Sequence, residues 1–389
     1  MIPRDLEKVL RKAAATFKAV TLIGPRQSGK TTLARMAFPD RPYVSLENPD
    51  VRRLAETDPR ALLARHRDGC ILDEVQRAPH LLSYLQGMLD ESRAPGRFIL
   101  TGSRQLGILE GVSQTLAGRT AVLTLLPFSL GELARGGYAP ASLEDHLFRG
   151  GYPPIHDQGP DPQLWLDAYR ATYVERDVRQ ALNVRDLTLF SRFMALCAGS
   201  VGQTLNASRL GSDCGLNHGT VRQWLSVMEA SFILFRLPPH HRNFRKRVVK
   251  SPKLYFFDTG LAARLLGIER PEQLNTHPLR GALFENFVVS ELLKGRHHRG
   301  KPANLFFWRD NLGLEVDVLA ESGGRLHPVE IKSGATLADD WFRSLERWMA
   351  LAGKAAASPR LVYGGDEAWK RGGVEIVPWR SVSAVANLL

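Results

Sequence analysis

The chain is poor in cysteine. Cys70, Cys197 and Cys214 are scattered over 389 residues with no CxxC spacing, so neither a disulfide framework nor a zinc module is indicated, and a reducing cytoplasm fits. Long apolar runs are missing too, and none approaches the roughly 18 residues of a membrane span. The opening stretch "MIPRDLEKVLRK" carries charges where a signal peptide needs an apolar segment. A soluble, cytoplasmic protein with no membrane partner is therefore expected. No repeat or low-complexity tract stands out. Acid is in short supply: 40 Asp and Glu face 52 Lys and Arg, a formal charge of +12. Such a balance favours an anionic partner, with nucleic acid ahead of acidic lipid. Hydrophobic residues make up 44%, enough over this length for buried cores in two to four domains.

What is present begins with "AVTLIGPRQSGKTTLARMAF" (19–38), an apolar strand, a glycine loop and a helix opening in "KTT". It satisfies GxxxxGK(S/T) with Gly24, Gly29, Lys30 and Thr31. The run Gly24, Pro25, Arg26, Gln27, Ser28, Gly29, Lys30, Thr31, Thr32 is expected to wrap the phosphates of a nucleotide. Lys30 would reach the terminal phosphates, the Thr31 hydroxyl would ligate magnesium, and the helix N-terminus adds its own positive end. "GCILDEVQ" (69–76) then ends an apolar strand in two acids. Asp73 can hold magnesium through its water shell, and Glu74 can orient or deprotonate an attacking water, which marks a hydrolase rather than a kinase. A third strand, "RFILTGS" (97–103), places Thr101 and Ser103 where the γ-phosphate should lie, since ligands of α/β sheets bind beyond the carboxyl ends of strands. Arg119, in "SQTLAGRT", is a candidate arginine finger acting in trans, or else a solvated turn residue.

This order of strand, P-loop, helix, then "LDEVQ", "LTGS" and "LAGR", resembles the AAA+ ATPases. It is similar in particular to bacterial and archaeal ATP-binding proteins in which a helical lid, a winged helix and a nuclease-like region follow the core. The resemblance implies an AAA+ core at 1–126, a lid at 127–195, a winged helix at 196–266 and an α/β PD-(D/E)XK nuclease-like domain at 267–389. It also implies ATP and magnesium as cofactors, Ser103 as the polar sensor, and a homo-oligomer, with a ring of six the form to expect.

The residues of the middle region fit that frame. "LNASRLGSDCGLNHGTVRQWLSVMEASFIL" (205–234) reads as helix, glycine-containing turn, helix, and residues 235–257 as a hairpin with a basic cluster at its tip. DNA binding would use Arg222 on the second helix and backbone contacts from Arg242, Arg245, Lys246, Arg247 and Lys250. The alternative is a module used for protein contact, with a solvated basic loop.

The last region carries "GLEVDVLAESGGRLHPVEIKSG" (313–334), two alternating strands about a Gly-Gly pair. With Gly323-Gly324 as a two-residue turn, facing residues have numbers summing to 647, so Asp317 opposes Glu330 and Glu315 opposes Lys332. Strict alternation puts these four on one face and Val316, Val318, Val329 and Ile331 on the other. Two opposed carboxylates repel unless a divalent cation joins them. A metal held by Asp317 and Glu330, completed by Glu285 from "RGALFENFVVSELLKG" and with Lys332 beside it, is the expected site; the alternative is an exposed strand face lined with ion pairs of the Glu315–Lys332 and Asp317–Arg325 type. Such a site can cut or can survive as a binding module. Branched DNA is the first substrate to test, and a nucleotide-switched interaction protein is the rival reading.

Overall fold

β1 (Ala19–Ile23) is buried at every residue, and so are β3 (Cys70–Asp73) and β4 (Phe98–Gly102). Such uninterrupted apolar runs suit parallel strands covered on both faces. The computed structural model describes residues 2–91, 94–103, 115–174, 186–240 and 251–388. With β2 (Tyr43–Ser45) and β5 (Thr120–Thr124) these strands form one parallel sheet in the order β2-β3-β4-β1-β5. Alternation splits β1 between two cores. Val20 and Leu22 meet Leu10, Leu33 and Ala34 from the helices Glu7–Thr16 and Lys30–Ala37. Ala19 and Ile23 share the other core with Leu81, Leu85 and Leu89 of the helix Leu81–Glu91.

Short helices follow from Leu130 to Tyr169. The helices Leu187–Gly199, Ala207–Cys214 and His218–Ala230 come next, and then the antiparallel pair β6 (Leu234–Leu237) and β7 (Lys253–Phe256). The helix Leu187–Gly199 straddles the expected boundary at 195, and its Phe190 and Phe193 pack edge-on against Trp224 at 5.1 and 5.3 Å. Gly215 ends the second helix in the left-handed region, which makes the sharp turn between helices.

A long helix, Arg280–His298, leads into a second sheet. Its strands are β8 (Leu305–Arg309), β9 (Glu315–Ser322), β10 (Arg325–Lys332), β11 (Arg360–Tyr363), β12 (Trp369–Arg371) and β13 (Val374–Pro378), in the order β12-β13-β11-β10-β9-β8. The long helix is buried on nearly every side, one face meeting this sheet and another the segment after β5. The helix Arg343–Ala352 covers the sheet's other face through Leu345 and Trp348. Beyond β6 the chain runs along the free edge of β8, where the His240 N–H donates to the Phe307 carbonyl at 2.8 Å. That contact brings β7 to the second sheet. Among the described residues, no helix is long and apolar enough to cross a membrane.

The Gly323-Gly324 turn forms as expected. Both glycines are left-handed, at φ 58° and 72°, and the pairing runs from Ser322 opposite Arg325 to Val318 opposite Val329. Beyond that point the regular alternation stops. The register of β9 against β8 slips by one residue between Phe306 and Trp308, a β-bulge in β9 at Asp317 and Val318, opposite Phe307. Val318, Val329 and Ile331 therefore share the core of the long helix, while Val316 turns to the side of Trp308 and Trp348. The one-face arrangement expected for the four valine and isoleucine residues is corrected by this bulge.

Candidate functional site

The first sheet gathers its polar residues at the carboxyl ends of β1, β3 and β4. Gly24 leaves β1 at φ 153°, with its α-carbon so close to the Leu125 carbonyl that a Cβ would sit 2.0 Å from that oxygen. Only glycine fits there. Gln27 and Gly29 are also left-handed, and Lys30 opens the helix Lys30–Ala37. The buried Lys30 ammonium donates to the Gly24 and Pro25 carbonyls at 3.1 and 2.7 Å. Thr32 lies exposed on the helix, and the Arg26 carbonyl accepts from the Tyr169 hydroxyl at 3.5 Å.

Asp73, at the end of β3, is held by three hydroxyls. Thr31 donates to Oδ1 at 2.9 Å, Tyr43 donates to Oδ2 at 2.7 Å, and Thr101 also donates to Oδ1. Burial first, then the Asp73 hydrogen bond, pushes the Tyr43 hydroxyl up to about 12, so it stays a donor at neutral pH. Glu74 adopts the left-handed conformation, φ 59° and ψ 47°, which is costly for a residue with a Cβ. Its carboxylate accepts from Ser103 at 2.5 Å and from Gln76. The residues present fit a magnesium nucleotide. Thr31 and Asp73 form a pair of hard oxygen donors, and Ser28 Oγ is buried in the loop with no protein partner.

Arg119 lies elsewhere. Its carbonyl accepts from Ala19 N at the amino end of β1, so the residue sits at the opposite end of the strands from the P-loop, roughly 16 Å away along a five-residue strand. There it makes a bidentate pair with Asp90 at 2.6 and 2.8 Å. It cannot serve the nucleotide site of its own chain.

The acidic residues of the second sheet meet an unexpected cation. The buried Lys253 ammonium of β7 donates to Glu285 at 2.8 Å, contacts Glu315 at 2.5 Å and lies 4.0 Å from Asp317. Tyr255 adds a hydrogen bond to the same Glu285 oxygen at 2.5 Å. Asp317 turns its carboxylate to the Ile331 N–H, at 2.8 Å, in place of the interrupted ladder. Glu330 is buried and pairs with Lys332 at 2.7 Å, leaving Oε2 with no partner. An ammonium thus stands on the Asp317 side of the expected metal site, 4.0 Å from that carboxylate. Among the described residues the ligand atoms of Glu285, Asp317 and Glu330 do not converge on one ion-sized point. Those that do, on Asp5, Glu132 and His298, surround a Glu132 carboxylate already paired with Arg4.

Positive charge is still short here. Burial first, then Asp317, pushes Glu285 up to about 7 and Glu330 up to about 8. For an acid whose folded pKa is raised, the folded state holds the extra proton between the unfolded and folded values. Stability is then fully present below about 4.5 and is lost as pH rises through about 8. Glu330→Gln is expected to flatten the fall in stability between about pH 5 and 8 by up to ~1.4 kcal/mol per pH unit. Urea unfolding across that range checks it, and an unchanged slope would remove Glu330 from the account.

Two uncharacterized mycobacterial proteins align with nearly all of this chain. Rv2008c of Mycobacterium tuberculosis is 33% identical over 372 residues, 93% of this chain and 80% of its own length. Mb2031c of Mycobacterium bovis matches with the same figures. The chain belongs to their family. Within it, residues 16–134 match an AAA domain, so this family member carries a P-loop ATPase-type core. Residues 140–272 and 280–382 match two domains of unknown function, DUF8612 and DUF4143. Among solved structures, the Walker-type ATPase PABY2304 of Pyrococcus abyssi gives a TM-score of 0.46 at 13% identity, over 68% of this chain and 96% of that one. AMPPCP-bound DnaA from Aquifex aeolicus gives 0.31 at 16% identity, over 58% and 85%.

In this family member the structure brings Lys30, Thr31, Asp73, Glu74 and Ser103 together and leaves Arg119 apart. Arg222 is exposed on the helix His218–Ala230, while Arg242, Arg245, Lys246, Arg247 and Lys250 lie outside the described residues. Tyr43 and Lys253 were not among the expected site residues. The one trace of Lys253 in the sequence is a lysine opening an otherwise apolar strand.

Proposed function

We propose that this family member is a magnesium-dependent AAA+ ATPase that binds DNA and couples ATP hydrolysis to remodelling or processing of that DNA. The observation that carries the ATPase part is Glu74, held in a costly conformation by Ser103 and Gln76 next to the Thr31–Asp73 pair. Lys30 would exchange its two loop carbonyls for the terminal phosphates, and Glu74 would take the proton of the water that attacks the γ-phosphorus. Thr31 and Asp73 would hold magnesium, which supplies charge neutralisation on the phosphates. Arg119, set at the amino end of the strands and away from the P-loop, suits a role in trans on a neighbouring copy, which is why a homo-oligomer, with a hexameric ring as its simplest form, belongs to this reading.

The DNA part rests on the charge of +12 and the exposed Arg222, with the basic segment 242–250 as the second contact. The helices from Leu187 to Ala230 and the β6–β7 pair have the order of a winged helix, and the long helix, three strands, helix and strand after it have that of a PD-(D/E)XK nuclease-like domain. One observation favours a second reading, a nucleotide-switched interaction protein whose nuclease-like part binds without cutting. Lys253 already pairs with Glu285 and lies 4.0 Å from Asp317, two of the carboxylates that a cutting metal would need.

The test is the ATP hydrolysis rate with linear, single-stranded, forked and four-way DNA, each scored also for nicking. Hydrolysis stimulated by DNA, and lost in Lys30→Ala by at least about a hundred-fold, supports the first reading. Hydrolysis indifferent to every DNA, with no binding at low salt, supports the second.

A further inference from the structure

Arg4 lies ahead of every motif that the sequence displays, yet it is buried and joins three separate segments. Its Nη1 donates to the Ser28 carbonyl of the P-loop at 2.7 Å, its Nη2 to the Leu126 carbonyl at 2.6 Å, and its Nε to Glu132 Oε1 at 3.0 Å. The guanidinium lies over the Phe128 ring, 4.6 Å from the centroid. A Cβ on Gly29 would come within 3.6 Å of Nη1, so Arg4 packs directly behind the loop.

A trans peptide points its C=O and the following N–H in opposite directions. Pinning the Ser28 carbonyl toward Arg4 therefore aims the Gly29 N–H to the other side, where phosphate oxygens would be held. A charged donor on that carbonyl also makes a stronger hold than a neutral one.

The anchor continues beyond Arg4. Glu132 is fully buried and also accepts from Asp5 N at 2.8 Å and Ser129 N at 2.9 Å. Burial alone would raise its carboxyl, but Arg4, then His298 and the two backbone donors, outweigh burial and bring it down to about 2. The same segment is gripped from the far side by the long helix. Lys294 donates to the Phe128 carbonyl at 2.9 Å, and Glu291 accepts from Leu130 N at 3.0 Å. Arg4, Glu132, Glu291 and Lys294 are all buried, so the bonds among them and to the segment 126–132 are hard to exchange for water.

We propose that Arg4 is a positioning residue for the phosphate loop and that, through Glu132 and the segment 126–132, it ties the loop to the helix Arg280–His298, so that nucleotide binding is felt in the C-terminal sheet. This rests on the ATP reading above.

The test compares the full-length wild type with Arg4→Lys and Arg4→Ala, each first checked for folding by thermal unfolding. A fluorescent ATP analogue is titrated with magnesium present, and amide exchange of residues 280–298 is followed with and without it. Wild type is expected to bind and to slow exchange in the long helix. Both variants are expected to bind about tenfold more weakly and to lose that response. Guanidinium chloride at millimolar concentration, against sodium chloride at equal ionic strength, is expected to restore binding to Arg4→Ala, which general loosening of the fold would not allow. Folded variants that bind like wild type overturn the positioning role. Weaker binding with the helix response intact overturns the tie to the C-terminal sheet. Should Arg4→Ala not fold, Arg4→Lys decides alone, because one ammonium cannot serve three acceptors in this geometry. Wild type that takes no nucleotide overturns the ATP reading itself, and this inference with it.

Discussion

Glu74→Gln is expected to bind ATP as wild type does and to hydrolyse it at least about a hundred-fold more slowly, the scale of a lost general base. The amide has the shape of the carboxylate, so its oxygen still accepts from Ser103, and Gln76 can turn its own amide to accept from the new NH2 group. The Glu74 N–H, 3.4 Å from Thr101 Oγ1, is untouched. What is lost is the ability to take a proton. Single-turnover phosphate release, beside a nucleotide titration, separates the two effects. A variant that keeps more than about a tenth of the wild-type rate would take the base role from Glu74.

The second large effect concerns stability. Lys253→Met is expected to destabilise the protein by about 3–5 kcal/mol, the range for removing one partner of a buried ion pair. Glu285 and Glu315 then lose the cation that touches both. The loss should grow with pH. Burial and Asp317 raise Glu285 to about 7 even while Lys253 pulls it down, so without the ammonium it holds its proton to still higher pH. The folded variant then carries the extra proton over a wider range than wild type, and its stability falls further as pH rises. Urea unfolding at about pH 6 and about pH 8 measures both arms, and adding Glu285→Gln should recover part of the loss at the higher pH. An equal loss at both pH values would mean that the ammonium's packing, not its charge, is what matters.

These two residues show what could be reached from the sequence. Glu74 was legible because its neighbours in space are its neighbours in sequence, or stand at the ends of strands whose apolar runs announce themselves. A P-loop, an acidic strand end and a "TGS" strand end converge whenever parallel strands lie side by side. Lys253 was not legible. It is placed by the run beyond β6 that lies along β8, where His240 meets Phe307, 67 residues further along the chain, a contact that no local pattern encodes.

The hairpin about Gly323-Gly324 falls between these cases. Two glycines and the alternation around them determined the turn and the register as far as Val318 and Val329, because both are properties of adjacent residues. The bulge depends on pairing with a third strand, β8, and it decided that Val316 faces Trp348 and that Asp317 binds the Ile331 N–H. By itself the sequence determined the phosphate loop, the order of the strand ends and the hairpin turn, all of them set by short-range backbone geometry. The tertiary structure decided that Arg119 stands at the amino end of the strands, paired with Asp90, that Arg4 backs the loop, and that Lys253 enters the acidic cluster. Each of these depends on which distant surfaces pack together, and for Arg4 and Lys253 burial strengthens the pairing by removing the water that would otherwise compete for it.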